Sequence, residues 1–95
     1  MGPQELELYR AVDEVLQYTW DPIGVSSIPQ ARGEYHGYLP QVYGLLGGGA
    51  DENAIAAYLT KVTTEQMGLS EKPSHDLEVA KILIDWKNFI VEKFA

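Results

Sequence analysis

The sequence predicts an all-α fold, a small single-domain bundle of four helices over residues 1–95 with an ordered loop between helices 1 and 2. Three observations predict it. Apolar residues recur at helical spacing in four separate segments, and no segment alternates as a strand does. Each segment is bounded by proline, glycine or a capping side chain. Finally, 95 residues with 45% hydrophobic content form one modest core, and no internal repeat or low-complexity tract divides them.

The first helix is expected over 3–19. Leu8, Tyr9, Ala11, Val12, Val15, Leu16 and Tyr18 fall on one broad arc, with Arg10, Asp13, Glu14 and Gln17 on the other side. Pro3 suits a first turn, and Glu5 and Glu7 suit the positive end of the helix dipole. Pro22 forbids continuation.

Trp20-Asp21-Pro22-Ile23-Gly24-Val25 then joins two helices, but it does not have the composition of a linker. It carries a large aromatic, a φ-locked proline, a glycine free to take positive φ and two β-branched apolar side chains. Such a loop is expected to pack, and ordered loops are where sites are built.

The second helix is expected over 28–46, kinked at Pro40. Ser27-Ile28-Pro29-Gln30 reads as a capping box, and Ala31, Tyr35, Tyr38, Leu39, Val42, Leu45 and Leu46 stay in helical phase. A mid-helix proline costs about 3 kcal/mol, so two short helices breaking at Gly37–Leu39 are the alternative. Gly33, Gly37 and Gly44 share the sector of Pro40; they either admit a second backbone closely or mark a weakly formed helix, and the second reading is preferred.

Gly47-Gly48-Gly49 ends that segment. Asp51 caps a third helix, expected over 52–67, whose narrow stripe of Ile55, Tyr58, Leu59 and Val62 suits a helix lying on a core. Gly68 and Leu69 supply its stop. The last helix, expected over 75–94 from a start at Ser74, carries a main stripe of Val79, Ile82, Leu83, Trp86, Phe89, Ile90 and Phe94, widened by Leu77, Ala80, Ile84 and Val91. That arc exceeds what one face of a bundle needs. The helix is therefore expected to be surrounded within the monomer or to form a homodimer, with Trp86 and Met67 in the core.

Composition excludes several functions. There is no cysteine, so disulfides, thiolate metal sites and thiol catalysis are absent. The formal charge is −7, with an acidic excess in both halves and no Lys/Arg cluster, which argues against nucleic acid; such a surface serves solubility in the first place, and any protein partner it attracts is a basic one. No apolar run approaches about 20 residues and no leader pattern is present, so neither membrane nor export is expected and the cytoplasm is the default. His36 and His75 belong to no metal-binding spacing, and Ser26, Ser27 and Ser74 have no nucleophile setting. Asp13 and Glu14 are adjacent, so about 100° separates them on a helix and they read as acidic surface. The triple glycine is followed by Ala50-Asp51-Glu52, which repels phosphate. No catalytic set, cofactor or metal is called for.

One constellation stands out, with Trp20 and Asp21 in the loop and Arg32, Glu34, Tyr35, His36 and Tyr38 following it. Arg32 suits a bidentate carboxylate partner, Asp21 or Glu34 internally, and arginine with tyrosines also composes an interface hot spot. Structural bracing is the plainer reading and a binding site the sharper one.

Trp20-Asp-Pro-Ile-Gly-Val25, Ala31-Arg32, Glu34-Tyr35, Tyr38-Leu39-Pro40, Val42-Tyr43-x-Leu45-Leu46, Ile55-Ala56-x-Tyr58-Leu59 and Met67-Gly68-Leu69 together resemble the YugE-like family of small bacterial proteins of unknown function. The resemblance covers roughly residues 6–70. It implies a compact all-helical fold in a bacterial cytoplasm and no assigned activity. Gly33 and Gly37 stand where the family carries acidic residues, and the last helix lies beyond the resemblance. The function expected is a non-enzymatic protein-interaction or accessory module. The alternative is a small-molecule-binding or catalytic domain that uses the Trp20–Val25 loop with Arg32 and Tyr35.

Overall fold

Where the backbone can keep its hydrogen bonds decides the helix bounds in the computed structural model, which describes residues 1–95. Helix α1 runs Pro3–Val15, α2 Leu39–Gly47, α3 Glu52–Lys61 and α4 Pro73–Lys93, and there are no strands. Proline stands in the first turn of α1, α2 and α4, where a missing N–H costs nothing. Asp51 caps α3 by accepting from the Ala54 amide at 2.8 Å.

Two helices end in the same unusual way. Beyond α1, Leu16–Trp20 form a π turn closed by Asp21 N–H to the Leu16 carbonyl. Beyond α3, Val62–Gln66 do the same, closed by Met67 N–H to the Val62 carbonyl. In the second, Thr63 and Thr64 hydroxyls donate back to the Leu59 and Thr60 carbonyls, both at 2.9 Å, and back-bonding of this kind distorts a helical turn. Gly68, at φ +68°, then reverses the chain, and Leu69 N–H returns to the Thr63 carbonyl.

The second segment differs from the expected kinked helix over 28–46. Only Pro29–Ala31 form a 3-10 turn, and from there to Leu39 the backbone bonds step mostly three residues at a time. Pro40 is the cause. It has no N–H to donate, and its ring would strike the His36 carbonyl of a continuous α-helix. Gly33 and Gly37 add about 1 kcal/mol each against α geometry. The chain breaks before Leu39, and Pro40 takes a first-turn position in α2. The Ser27 capping box does not form, since no side chain caps the Pro29 turn. No other backbone approaches Gly33, Gly37 or Gly44.

The core joins Leu8, Val12, Val15 and Leu16 of the first element to Leu39, Val42 and Leu46 of α2, to Ile55, Leu59 and Val62, and to Val79, Ala80, Leu83 and Ile90 of α4. Tyr35 is buried from the irregular segment, which explains why apolar phase persists there without a helix. α1 runs antiparallel to α4: Glu7 at its start meets Lys93 at 2.9 Å, and Trp20 beyond its end meets Asp76. α3 is antiparallel to α4 as well, with Thr60 near its end bonded to Asp76. Both π turns therefore converge on the first turn of α4. No helix is long and apolar enough to cross a membrane.

The last helix is not surrounded. Trp86, Phe89, Val91 and Phe94 are 41–57% exposed, so Trp86 is not a core residue. The buried positions of α4 form one stripe, while Trp86 and Phe89 lie on its flank and Phe94 follows its last turn.

Candidate functional site

The loop builds its own framework around Asp21. This residue takes a left-handed conformation, φ 34° and ψ 59°, directly after the π turn. Its Oδ1 accepts from the Val25 amide at 2.8 Å and from the Tyr35 hydroxyl at 2.7 Å, and its Oδ2 accepts from the Ser26 amide at 3.1 Å. The Tyr35 hydroxyl oxygen in turn accepts from the Ile23 amide at 3.0 Å. Gly24, at φ +78°, makes the reversal that lets these amides turn inward. Burial alone would raise the Asp21 carboxyl, but the Tyr35, Val25 and Ser26 hydrogen bonds outweigh it and hold it below its ordinary value of 3.8. Burial, and then the Asp21 hydrogen bond, push the Tyr35 phenol far above its ordinary range.

Trp20 ties this loop to α4. Its ring is 1% exposed and packs against Tyr35 at 5.3 Å and edge-on to Tyr38 at 6.3 Å. Its Nε1–H donates to Asp76 Oδ1 at 3.0 Å, while the Thr60 hydroxyl donates to Oδ2 at 2.8 Å. Asp76, 2% exposed, thus holds its carboxylate between two donors in the first turn of α4, where the helix dipole also favours negative charge. His75 Nε2–H donates to the Trp20 carbonyl at 3.0 Å. Beside these groups lies a cleft of about 390 Å³ whose lining includes Thr19, Asp21, Lys72, His75 and Asp76.

Arg32 and His36 lie elsewhere. The Arg32 guanidinium grips Asp13 through both nitrogens, at 3.0 and 2.9 Å, and reaches Glu14 at 3.0 Å. Its partners are thus on α1, not the expected Asp21 or Glu34. Bonding to Asp13 is the main reason its pKa is raised, and burial opposes this. The long guanidinium spans the two adjacent acids, so their angular separation on α1 does not keep them apart. His36 Nε2 also meets Asp13, at 3.1 Å, and the Arg32 guanidinium sits 5.4 Å from the exposed Tyr18 ring centre. Glu34 is exposed and lines a shallow hollow with Ile23, Tyr38 and Met67.

The structure therefore joins Trp20, Asp21, Tyr35 and Tyr38 into one packed unit and places Arg32 with His36 in a separate surface ion cluster. Asp76, Thr60 and His75, which sequence reasoning left aside, complete the first unit. The only available signal for Asp76 was its position in a first helical turn, which says nothing about a partner 56 residues away. Gln17 was read as outward-facing, yet it is 1% exposed and its Oε1 has no hydrogen-bond partner. The π turn carries it inward. No group of three or more His, Cys, Asp or Glu side chains is placed to hold a metal ion.

A second surface has the opposite character. Ile82, Asp85, Trp86 and Phe89 on the outer flank of α4 border an open hollow of about 290 Å³. Trp86 and Phe89 stand edge-to-face at 6.0 Å, 43% and 57% exposed. No protein-family model, curated protein or solved structure matches the chain.

Proposed function

We propose that this chain is a non-enzymatic protein-interaction module, a bacterial accessory protein of the cytoplasm, whose working surface is the Ile82–Trp86–Phe89 flank of α4. The observation that carries this reading is the exposed aromatic pair, Trp86 with Phe89, about half of whose surface no other part of the molecule covers. Tryptophan and its neighbours in such a setting are typical interface anchors. The Trp20–Tyr38 constellation supports the same reading from the other side. Its polar groups are engaged with one another, and a loop that braces the fold has few groups left for a ligand. This weighs against the alternative, a small-molecule or catalytic site using Trp20–Val25 with Arg32 and Tyr35.

A formal charge of −7 would draw basic groups to the rim of an apolar contact, which makes a basic amphipathic helix a sensitive probe of this surface. The YugE-like resemblance fits a small accessory protein and assigns no chemistry. A synthetic amphipathic Leu/Lys helix is a direct probe. Isothermal titration should show binding that Trp86→Ala weakens by tenfold or more, about 1.4 kcal/mol, while Arg32→Ala leaves it unchanged. Binding lost with Arg32→Ala and retained with Trp86→Ala would return the function to the loop constellation.

A further inference from the structure

The residues on the outer flank of α4, all exposed except the half-buried Ile82, which also packs against the core, are spaced the same in both directions. Glu78, Ile82, Asp85, Trp86, Phe89 and Lys93 follow one another at intervals of 4, 3, 1, 3 and 4 residues, symmetric about the Asp85–Trp86 peptide. At about 100° per residue all six fall in one angular sector, roughly a right angle away from the buried stripe of Val79, Leu83 and Ile90. Their chemistry is symmetric in the apolar pair, Ile82 and Phe89, and opposite in sign at the two ends, Glu78 and Lys93.

We infer that a second copy of this chain covers the flank, with the two α4 helices packed antiparallel about a two-fold axis through the Asp85–Trp86 midpoint. The inference rests on the reading of that flank as an interaction surface and names its occupant. In this register each Ile82 faces Phe89 of the other copy, and each Glu78 faces the other copy's Lys93. A parallel pairing would instead bring Glu78 to Glu78 and Lys93 to Lys93.

Both end groups are exposed at the ends of this flank. The Glu78 side chain is 70% exposed, and its one intramolecular partner, Lys81, stands at 4.0 Å. Lys93 bonds Glu7, but its side chain is 52% exposed and an ammonium has three donors. At the axis the two Trp86 rings meet on one rim of the contact and the two Asp85 carboxylates on the other. That repulsion, together with the −7 charge on each copy, keeps the pairing weak. One helix pair is at the small end of specific interfaces, so a dissociation constant on the order of 10–100 µM is expected.

Salt separates this occupant from a basic partner. Screening relieves repulsion between two acidic copies and weakens attraction to a basic one. Sedimentation equilibrium of the full chain from about 10 to about 500 µM should show a monomer–dimer equilibrium, tightening severalfold between about 50 and about 300 mM salt. Trp86→Ala should abolish it with unchanged melting. Glu78→Lys should weaken it about tenfold, the Glu78→Lys/Lys93→Glu pair should restore it, and Asp85→Asn should tighten it. A chain that stays monomeric throughout, or a dimer indifferent to Trp86→Ala or not rescued by the charge exchange, overturns the inference. If the monomer still binds the Leu/Lys helix through Trp86, only the second copy is excluded and the interaction-module reading stands. If it binds neither, both fall.

Discussion

The two tryptophans of this chain occupy opposite situations, and the contrast separates what stabilises the molecule from what is available to a partner. Trp20 is 1% exposed, packed against two tyrosines at steep ring angles and hydrogen-bonded to a buried carboxylate. Trp86 is 43% exposed on a flank of α4 that no other helix covers, and it touches one more exposed aromatic. Around Trp20 the polar groups are satisfied internally, so burial there is compatible with Asp21 and Asp76. Around Trp86 the charged groups Glu78, Asp85 and Lys93 are exposed and none bonds the ring, so the ring gains by being covered from outside.

Truncating each ring in turn gives the largest expected difference between the two regions. Trp20→Ala should cost about 4 kcal/mol or more in urea unfolding followed by circular dichroism, since it removes a large buried ring and leaves Asp76 with one donor. Trp20→Phe keeps most of the packing but still costs about 2–3 kcal/mol, because Oδ1 of a buried carboxylate is left unpaired. Trp86→Ala should cost less than about 1 kcal/mol. Equal costs at the two positions would dissolve the distinction.

The chain's own pattern showed much of the first region and misread the second for the same reason. Apolar spacing located α1, α3 and α4 because each buries one side on the core, and Pro22, Gly24, Asp51 and Gly68 act locally, within a few residues. The residue types of Trp20–Val25 suggested a packed loop; Trp20 is buried and Val25 packs against the core, but Ile23 is 45% exposed, and the order of the loop rests on the Asp21 hydrogen bonds instead. Its partners were not legible, because Asp76 lies 56 positions away and Arg32 finds Asp13 across 19. Apolar spacing says that a side chain is on the wide face of α4, but not whether a neighbour is long enough to cover it, and this is where Trp86 was misplaced. The irregular segment before Leu39 was misread because Tyr35 and Leu39 keep helical phase while Pro40 prevents the helix.

Acid should loosen the loop region and leave the α4 flank alone. Asp21 has its folded pKa below its ordinary value of 3.8, so it contributes stability above that value, and the contribution is lost as pH falls through the folded pKa. In thermal melts from neutral pH to about pH 2, Asp21→Asn should cost about 1–2 kcal/mol at neutral pH and flatten the acid limb below about pH 4. An acid limb with the same slope in both proteins would show that the loop carboxylate is not ionised in its cage.

Gln17 offers a gain of similar size to a single hydrogen bond. It is buried at 1% exposure in the π turn next to Trp20, with Oε1 unpaired. Gln17→Met keeps the length and removes the buried polar atom, so urea unfolding should show stabilisation of about 1 kcal/mol. Destabilisation would mean that the amide has a partner in solution, which a crystal structure of the variant and wild type would reveal as an ordered water.

The smallest effect is expected at Arg32, in the surface ion cluster with α1. It makes three bonds to Asp13 and Glu14, but its side chain is 33% exposed and the Glu14 side chain is 61% exposed. Such a cluster loses most of its Coulomb energy to water, and only the bidentate arm to Asp13, itself 26% exposed, has geometry that resists screening. Arg32→Ala should therefore cost about 1 kcal/mol or less. A double-mutant cycle with Asp13→Ala should recover about 0.5–1 kcal/mol of coupling, and the cycle with Glu14→Ala about half of that. Coupling to Glu14 as large as that to Asp13 would show that charge alone, not the paired geometry, ties the irregular segment to α1. No coupling to either would release Arg32 from bracing α1 and leave its guanidinium available to a partner.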